Sequence, residues 1–344
     1  MLRSATLMLL VGCGGRGVLI DSDPDPSNTT NDTDLSNTIN DTDTDTDTDT
    51  DPTISTTTFP FDCNTVPPGE QTWQAAGEYG QAEDFDIDMD GYVGVAYNGN
   101  LMKRNQAGDV QVISPGVGGL TSGTRVLSTG DWVINDQNSG TVTLIDVVTG
   151  AQQVVSSAFT WPNGIEVDDN DHLFISDFSA GRIVRLDPYN PGDNEVLASG
   201  LNQANGIALS PDEQTLYSME SWTATIFAMD KQPDGSWGPV RVIHQDNAGN
   251  YQGMNVDYCG NIYWTNVLQG QGNTSNIERI RPDGTGFEVV ARLPSWYVPN
   301  IRFGHGIGGF DVLKLYASDR DAGRLFEIDI GVPGRGHVGL RPLP

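Results

Sequence analysis

The stretch Trp161-Pro162-Asn163-Gly164-Ile165-Glu166-Val167-Asp168 returns in outline as Gln203-Ala204-Asn205-Gly206-Ile207-Ala208-Leu209-Ser210. Each copy opens a unit of Asn-Gly, an alternating apolar run, a turn and two more such runs. After Asn163 come His172-Leu-Phe-Ile-Ser-Asp177 and Gly181-Arg-Ile-Val-Arg-Leu-Asp187. After Asn205 come Thr215-Leu-Tyr-Ser-Met-Glu220 and Ala224-Thr-Ile-Phe-Ala-Met-Asp230. Period-two alternation reads as half-buried strands, and several strands per unit of about forty residues is the signature of a β-propeller.

Working outward, Ser122–Gly140 lies over Asn163–Gly181 without gaps, at an offset of 41, and Glu83–Asp90 over Ser122–Thr129 at an offset of 39. Gln252-Gly-Met-Asn-Val-Asp257 and Asn300-Ile-Arg-Phe303 open a fifth and a sixth unit. Six such units, with almost no amphipathic helical pattern, predict an all-β, six-bladed propeller over residues 59–344. Each blade runs from an inner strand at the axis to an outer strand at the rim. Either Gln71–Ala76 or the tail His337–Leu340 supplies the strand that closes the ring.

The alignment stacks Glu83, Ser122, Asn163, Asn205, Gln252 and Asn300 in one register at the start of the inner strands. Six oxygen-bearing side chains converging on an axis, most of them amides and one a carboxylate, suit a hard cation. Calcium takes six to eight oxygens in flexible geometry, whereas nothing here offers the imidazole or thiolate that zinc prefers. Turn chemistry alone explains Asn163-Gly164 and Asn205-Gly206. It does not explain a Glu and a Gln in the same register.

At these residues the chain resembles the family of senescence marker protein, gluconolactonase and the luciferin-regenerating enzyme, whose architecture diisopropylfluorophosphatase and the paraoxonases share. The resemblance spans roughly residues 78–330 and is strongest in Pro162-Asn-Gly-Ile165 and Asn205-Gly-Ile-Ala-Leu-Ser-Pro-Asp212. It implies one calcium ion in the central tunnel, held through Glu83, Asn163 and Asn205, and hydrolysis of a lactone or ester. The family's fourth ligand, an Asp thought to act as base or nucleophile, falls on Gln252. A glutamine can offer its carbonyl oxygen to a metal, but at neutral pH it neither takes a proton nor attacks a carbonyl. Two functions are therefore expected: a calcium-dependent lactonase or esterase, or a surface-displayed propeller that binds a ligand or protein and kept only the metal site.

A second ring stands at the ends of the next strands: Tyr97, Asp136, Asp177, Glu220, Asn266 and Asp319. Of these, Asp177, Glu220 and Asp319 are expected behind the metal ligands. Trp161 and Tyr251 are expected to rim the pocket with Phe178, Trp222, Trp296 and Tyr297, as suits a lactone, an ester or a sugar ring. Burial between blades would explain these aromatics equally well. Asp86, Arg125 and Glu166 share a register on three inner strands, which predicts ion pairs between blades. Asp86-Ile-Asp88-Met-Asp90-Gly91 opens like an EF-hand loop, but its twelfth position is Tyr97 rather than Glu, and the repeat makes it a strand and turn. The four histidines share no register, so no histidine dyad is expected.

Before residue 59 the chain changes in kind. Met1-Leu-Arg3, a short apolar run and Cys13 resemble a bacterial lipoprotein signal (residues 1–13), with Cys13 as the lipidated residue and Gly14 after it. That implies an exported protein anchored at the outer membrane or cell surface. Residues 14–58 are an Asp/Thr-rich tract that cannot bury apolar surface and is expected to be a disordered tether. The whole chain of 344 residues carries −28. Eleven acids and two arginines precede residue 59, which leaves −19 on the propeller. Such an acidic domain is a poor partner for nucleic acid or anionic membranes, so contact with a membrane runs through the lipid alone. The propeller is expected to act as a monomer.

Cys63 and Cys259 remain. In an oxidising compartment they can pair. Strand direction places Cys259 in a turn on the face opposite the metal, and ring closure by Gln71–Ala76 would bring Cys63 to that face. There is no CxxC, HExxH, phosphate loop or GxSxG elbow.

Overall fold

A computed structural model describes residues 61–118, 121–246, 249–268, 272 and 274–336. Cys13, the acidic tract and residues 337–340 lie outside the described residues. The described chain folds as six antiparallel sheets of four strands each, a six-bladed propeller. Blades one to five each use consecutive strands, beginning at Phe85–Ile87, Thr121–Val126, Pro162–Val167, Ala204–Leu209 and Tyr251–Val256. Blade six takes Ile301–Phe303, Leu315–Asp319 and Arg324–Ile328 from the end of the chain and Trp73–Glu78 from its start. Trp73 faces Ile328 and Ala75 faces Phe326 in that closing pair. The N-terminal alternative for ring closure is the one adopted.

The apolar residues of the repeat sort into six clusters, one between each pair of neighbouring blades. Val133, Val142 and Phe159 of blade two meet Ile165, Leu173 and Ile175 of blade three, for example. Tyr263 and Ile277 of blade five meet Ile301, Phe303 and Phe326 of blade six. Alternation thus serves the faces between blades, and the innermost strands are left to line an axis with polar side chains. Outer strands such as Val110–Pro115 and Asn194–Ser199 are half-exposed, as rim strands should be.

The two Asn-Gly pairs and Gln252-Gly253 are not turns. Each lies within an inner strand, at a break in register: between Pro162 and Ile165, Ala204 and Ile207, and Tyr251 and Met254. An extra residue there bends the strand and re-aims its side chains, a frequent device beside functional sites. The glycine answers to the next blade. A Cβ on Gly164 would lie 2.9 Å from the Asn205 carbonyl oxygen, and one on Gly206 would lie 2.4 Å from that of Gln252. A Cβ on Gly253 would lie 2.5 Å from the Pro299 carbonyl oxygen. The inner strands crowd together around the axis at this level, and only glycine fits.

Cys63 and Cys259 form a disulfide with a Cα–Cα distance of 5.6 Å. The segment around Cys63 lies along blade five, where Gln71 N–H donates to the Val290 carbonyl at 2.7 Å and Arg279 Nη2 donates to that of Pro67 at 2.6 Å. Among the described residues no helix is long and apolar enough to cross a membrane.

Candidate metal and ligand site in the tunnel

Glu83, Ser122, Asn163, Asn205 and Asn300 line one small cavity at the head of the inner strands. Its volume, about 10 Å³, suits one water molecule or ion and excludes a sugar ring. A larger ligand would have to sit above it, at the mouth.

Each member of the register makes different bonds. Asn205 turns its amide nitrogen to Ser221 Oγ (2.8 Å) and Gln252 Oε1 (3.1 Å), which leaves its carbonyl oxygen for the cavity. Gln252 does not line the cavity: its oxygen accepts from Asn205, and its nitrogen donates to Asn250 Oδ1 at 2.6 Å. The expected fourth ligand therefore acts, in this arrangement, as the clamp of the third. Ser122 Oγ donates to the Pro162 carbonyl at 2.5 Å. The Asn300 oxygen accepts from Ile301 N–H and from Arg302 Nη1, at 2.9 and 3.1 Å, and so faces its own strand rather than a guest.

Glu83 supplies the cavity's one carboxylate. Its Oε1 accepts from the Tyr297 hydroxyl at 2.6 Å and its Oε2 from Arg320 Nη1 at 2.7 Å. Burial pushes the Glu83 carboxyl above its ordinary range, against the pull of Arg320 and Tyr297. Burial and the neighbouring Glu83 charge push the Tyr297 phenol up as well.

Arg125 lines this cavity and also a second one further along the tunnel, of about 40 Å³, bordered by Asp86, Glu166, Arg302 and Arg335. Its closest partner is the fully buried Asp84, at 2.6 Å, while Asp86 and Glu166, the neighbours that the register suggests, act on it as further anions. Arg302 Nη2 reaches the same carboxylate at 3.0 Å. Burial raises the Asp84 carboxyl to about 6, opposed by Arg125 and by the backbone N–H groups of Thr124 and Phe85, so at neutral pH it is ionised. Glu166 also has a closer cation, Arg335, at 2.9 Å, which reaches Glu213 at 3.1 Å. Asp84, Arg320 and Arg335 escaped sequence reasoning because none repeats from blade to blade, and Arg302 because the ungapped alignment set blade six one place off: it faces Tyr316 as Glu166 faces Phe174, and so shares the level of Asp86, Arg125 and Glu166.

The ring at the strand ends does not face the cavity. Asp177 is fully buried and accepts from the backbone of Thr160 and Trp161, at 3.0 and 2.9 Å, while pairing with Arg182. Asp319 holds Ser295 Oγ and Arg324, and Glu220 holds Asn202 N–H and Thr223 Oγ1. These carboxylates fasten the loops that carry the rim. Tyr251 is likewise not a rim residue: it is fully buried, its ring 5.4 Å from that of Trp264 in the core between blades four and five. Trp161, Trp222 and Trp296 are exposed, with Trp161 against Phe178 and Trp296 against Tyr297. The EF-hand-like segment is closed by Lys103, which pairs with Asp88 at 2.9 Å and Asp90 at 3.3 Å. Away from the tunnel, His172, Asp187 and Asp193 bring ligand atoms within 4.8 Å of one another, and His172 Nδ1 is held by Asp168.

Residues 176–316 match the family described as the SMP-30/Gluconolactonase/LRE-like region. That span includes Asn205, Gln252 and Asn300. A 6-deoxy-6-sulfogluconolactonase of Pseudomonas putida is 24% identical over 174 residues, 46% of this chain and 56% of that protein. The chain thus spans little more than half the length of that relative. Among solved structures, the luciferin-regenerating enzyme aligns with a TM-score of 0.62 at 17% identity, over 79% of this chain and 100% of that one. Regucalcin from Agrobacterium tumefaciens, described as a calcium-binding protein, aligns with a TM-score of 0.62 at 18% identity, over 78% and 96%. A gluconolactonase from Xanthomonas campestris aligns with a TM-score of 0.59 at 18% identity, over 78% and 96%. Over residues 176–316 the chain is thus similar to this family, and its six-bladed propeller is the fold of these solved structures.

Proposed function

We propose that the chain is an exported, calcium-binding propeller of the gluconolactonase type that hydrolyses a lactone or ester at the tunnel mouth. The observation that carries this reading is the small cavity lined together by Glu83, Asn163 and Asn205, with the Asn205 oxygen left for its interior. Hard oxygen donors in an ion-sized space fit calcium. A bound calcium ion would polarise a substrate carbonyl. Glu83 and the two asparagines would hold it, Gln252 and Ser221 would orient Asn205, and Tyr297 would keep Glu83 turned inward. Trp161 and Trp296, exposed on either side, would flank an apolar or sugar-like ring. The curated relative and the Xanthomonas structure, both named for lactones, support this substrate class.

A second reading has its own observation. Gln252 cannot serve as base or nucleophile, and both halves of its amide are already engaged, by Asn205 and Asn250. That favours a non-catalytic propeller holding a ligand or protein at the same mouth. A panel of lactones and aryl esters, run on the purified protein with calcium and again after EDTA, separates the two. EDTA-sensitive turnover supports hydrolysis; tight calcium binding with no turnover across the panel rejects it.

The proposal extends to the ends of the chain: lipidation at Cys13, residues 14–58 as a tether, and display at the outer membrane or cell surface by a monomer. Cys13→Ser should move the protein from the membrane fraction to the soluble one. Unchanged fractionation would remove the anchor.

A further inference from the structure

The carboxylate of the cavity already has a cation. Glu83 Oε2 accepts from Arg320 Nη1 at 2.7 Å, and Oε1 accepts from the Tyr297 hydroxyl at 2.6 Å. Both oxygens are thus engaged before any ion arrives. The two partners differ in how firmly they are placed. The side chain of Glu83 is 13% exposed and that of Arg320 is 36% exposed. Arg320 lies over the Tyr297 ring at 5.3 Å, and Tyr297 in turn packs on the exposed Trp296. Its backbone N–H is fixed to the Tyr297 carbonyl at 3.3 Å. Its neighbour Asp319, which might have offered the guanidinium a second carboxylate, is taken by Arg324 and Ser295. The main chain of Arg320 is therefore pinned at the mouth, while its head is far more open to solvent than the carboxylate of Glu83.

We propose that Arg320 is the built-in counter-ion of the cavity: it holds Glu83 when no metal is bound, is displaced when a divalent cation enters, and then presents its guanidinium at the mouth to an anionic group on the ligand. This rests on the reading above that a hard cation enters the cavity. The reasoning is electrostatic. A largely buried carboxylate left alone is costly, and a charge-assisted hydrogen bond to arginine offsets that cost in the empty site. A divalent ion competes for the same oxygen with twice the charge. The displaced guanidinium remains tethered beside Tyr297 and Trp296, where a planar fork of donors matches a carboxylate, sulfonate or phosphate. Cation and anion then assist each other, and linkage makes the effect reciprocal.

The test is calorimetry on the full chain, with calcium chloride alone, for wild type, Arg320→Met and Arg320→Lys. Melting temperatures establish that each variant is folded. Removing the competitor should tighten calcium binding by about tenfold or more, the worth of one charge-assisted hydrogen bond. Lysine keeps the charge and should leave affinity near the wild-type value. Glucose 6-sulfate, a neutral ring with one fixed anion, is then titrated in; it should bind wild type more tightly with calcium present, and Arg320→Met should lose that gain. Calcium binding by Arg320→Met alone, with none by wild type, would also support the inference, since the counter-ion then wins outright. Equal calcium affinity in wild type and Arg320→Met would overturn the counter-ion role and leave the cation reading standing. Binding to neither protein would overturn the cation reading itself, and this inference with it. Sulfate-ester affinity indifferent to position 320 would overturn the anion-binding half.

Discussion

Replacing both Cys63 and Cys259 with serine tests how the ring is closed. The bridge spans 196 residues, and in the chain-entropy model a loop that long restricts the unfolded chain by about 5 kcal/mol. The structure indicates that the full figure should not be lost through the native state. The segment that carries Cys63 keeps independent holds on blade five, through Gln71 on Val290, Arg279 on Pro67, and Phe61 and Val66 packed against the cluster between blades five and six. Those contacts survive the substitution, so the native fold should persist while the unfolded chain is released. Equilibrium unfolding in guanidinium should show a loss of about 4–5 kcal/mol, with a larger m-value because the unbridged chain expands. The double serine variant is preferable to a single one, which would leave a reactive thiol. A loss under about 1 kcal/mol, with unchanged m, would refute the argument from the unfolded state. Loss of the native fold in buffer would refute the claim that the other contacts hold the N-terminal segment.

Four further outcomes are expected. Gly94→Ala should cost at least about 3 kcal/mol, since the new Cβ would lie 2.0 Å from a ring carbon of the buried Trp132 and overpacking of that kind exceeds ordinary strain; a melting temperature unchanged by the substitution would contradict the close approach. Arg335→Met should cost about 3 kcal/mol, because it takes the hydrogen-bonded cation from Glu166 and Glu213 beside the tunnel and leaves their buried charges less compensated, and a loss within experimental error would mean the pair is solvated. Under the proposed function, Glu83→Gln should abolish tight calcium binding, and Gln252→Asp, which sets a second carboxylate beside Asn205, should raise calcium affinity and turnover together; calorimetry showing no change in Glu83→Gln would move the metal elsewhere. Burial raises the Glu83 carboxyl, so protons should begin to compete with calcium nearer neutrality than at an exposed glutamate, and affinity measured from pH 7.5 down to 5 should fall as the pH falls; a flat profile would show that Glu83 is not a ligand.

The fold was legible because a repeat reports the same fact six times. Alternation in Leu173–Asp177 or Thr215–Glu220 matters less alone than its recurrence at a constant distance from Asn-Gly. Ring closure was less legible: Trp73-Gln-Ala-Ala-Gly-Glu78 is a rim strand, exposed along most of its length, and carries little apolar alternation. Its burial requirement is weak, so its sequence is too. The glycines carried less than they could have. Gly164 and Gly206 are compatible with a turn, but the residue type at 164, 206 and 253 answers to a carbonyl of the neighbouring blade, a contact between segments forty residues apart that no local pattern announces. For the site, the register found residues that share a height on the axis, and Glu83, Asn163 and Asn205 do line one cavity. Height does not determine direction. Asp177 and Glu220 align as neatly and turn to loop backbone instead, Asp319 turns to the Ser295 hydroxyl and Arg324, and the Asn300 oxygen turns back to Arg302.

Direction also decides what chemistry is left to this chain. With Gln252 in the place of an acid, a hydrolase would need some other group to take a proton from the attacking water. The titratable groups on or touching the cavity are Glu83, Arg125, Arg320 and Tyr297, among the described residues. A guanidinium stays protonated, and a phenol pushed above its usual range is a donor rather than a base at neutral pH. Glu83 alone has a lone pair to offer, and under the proposed function that lone pair belongs to the cation. The same carboxylate cannot fill both roles at once. Hydrolysis at this mouth, where it occurs, must therefore proceed without a side-chain base, and its rate should depend on hydroxide over the neutral to alkaline range. A bell-shaped pH–rate profile centred near neutrality would contradict this, by revealing a base that is not among the described residues of this cavity.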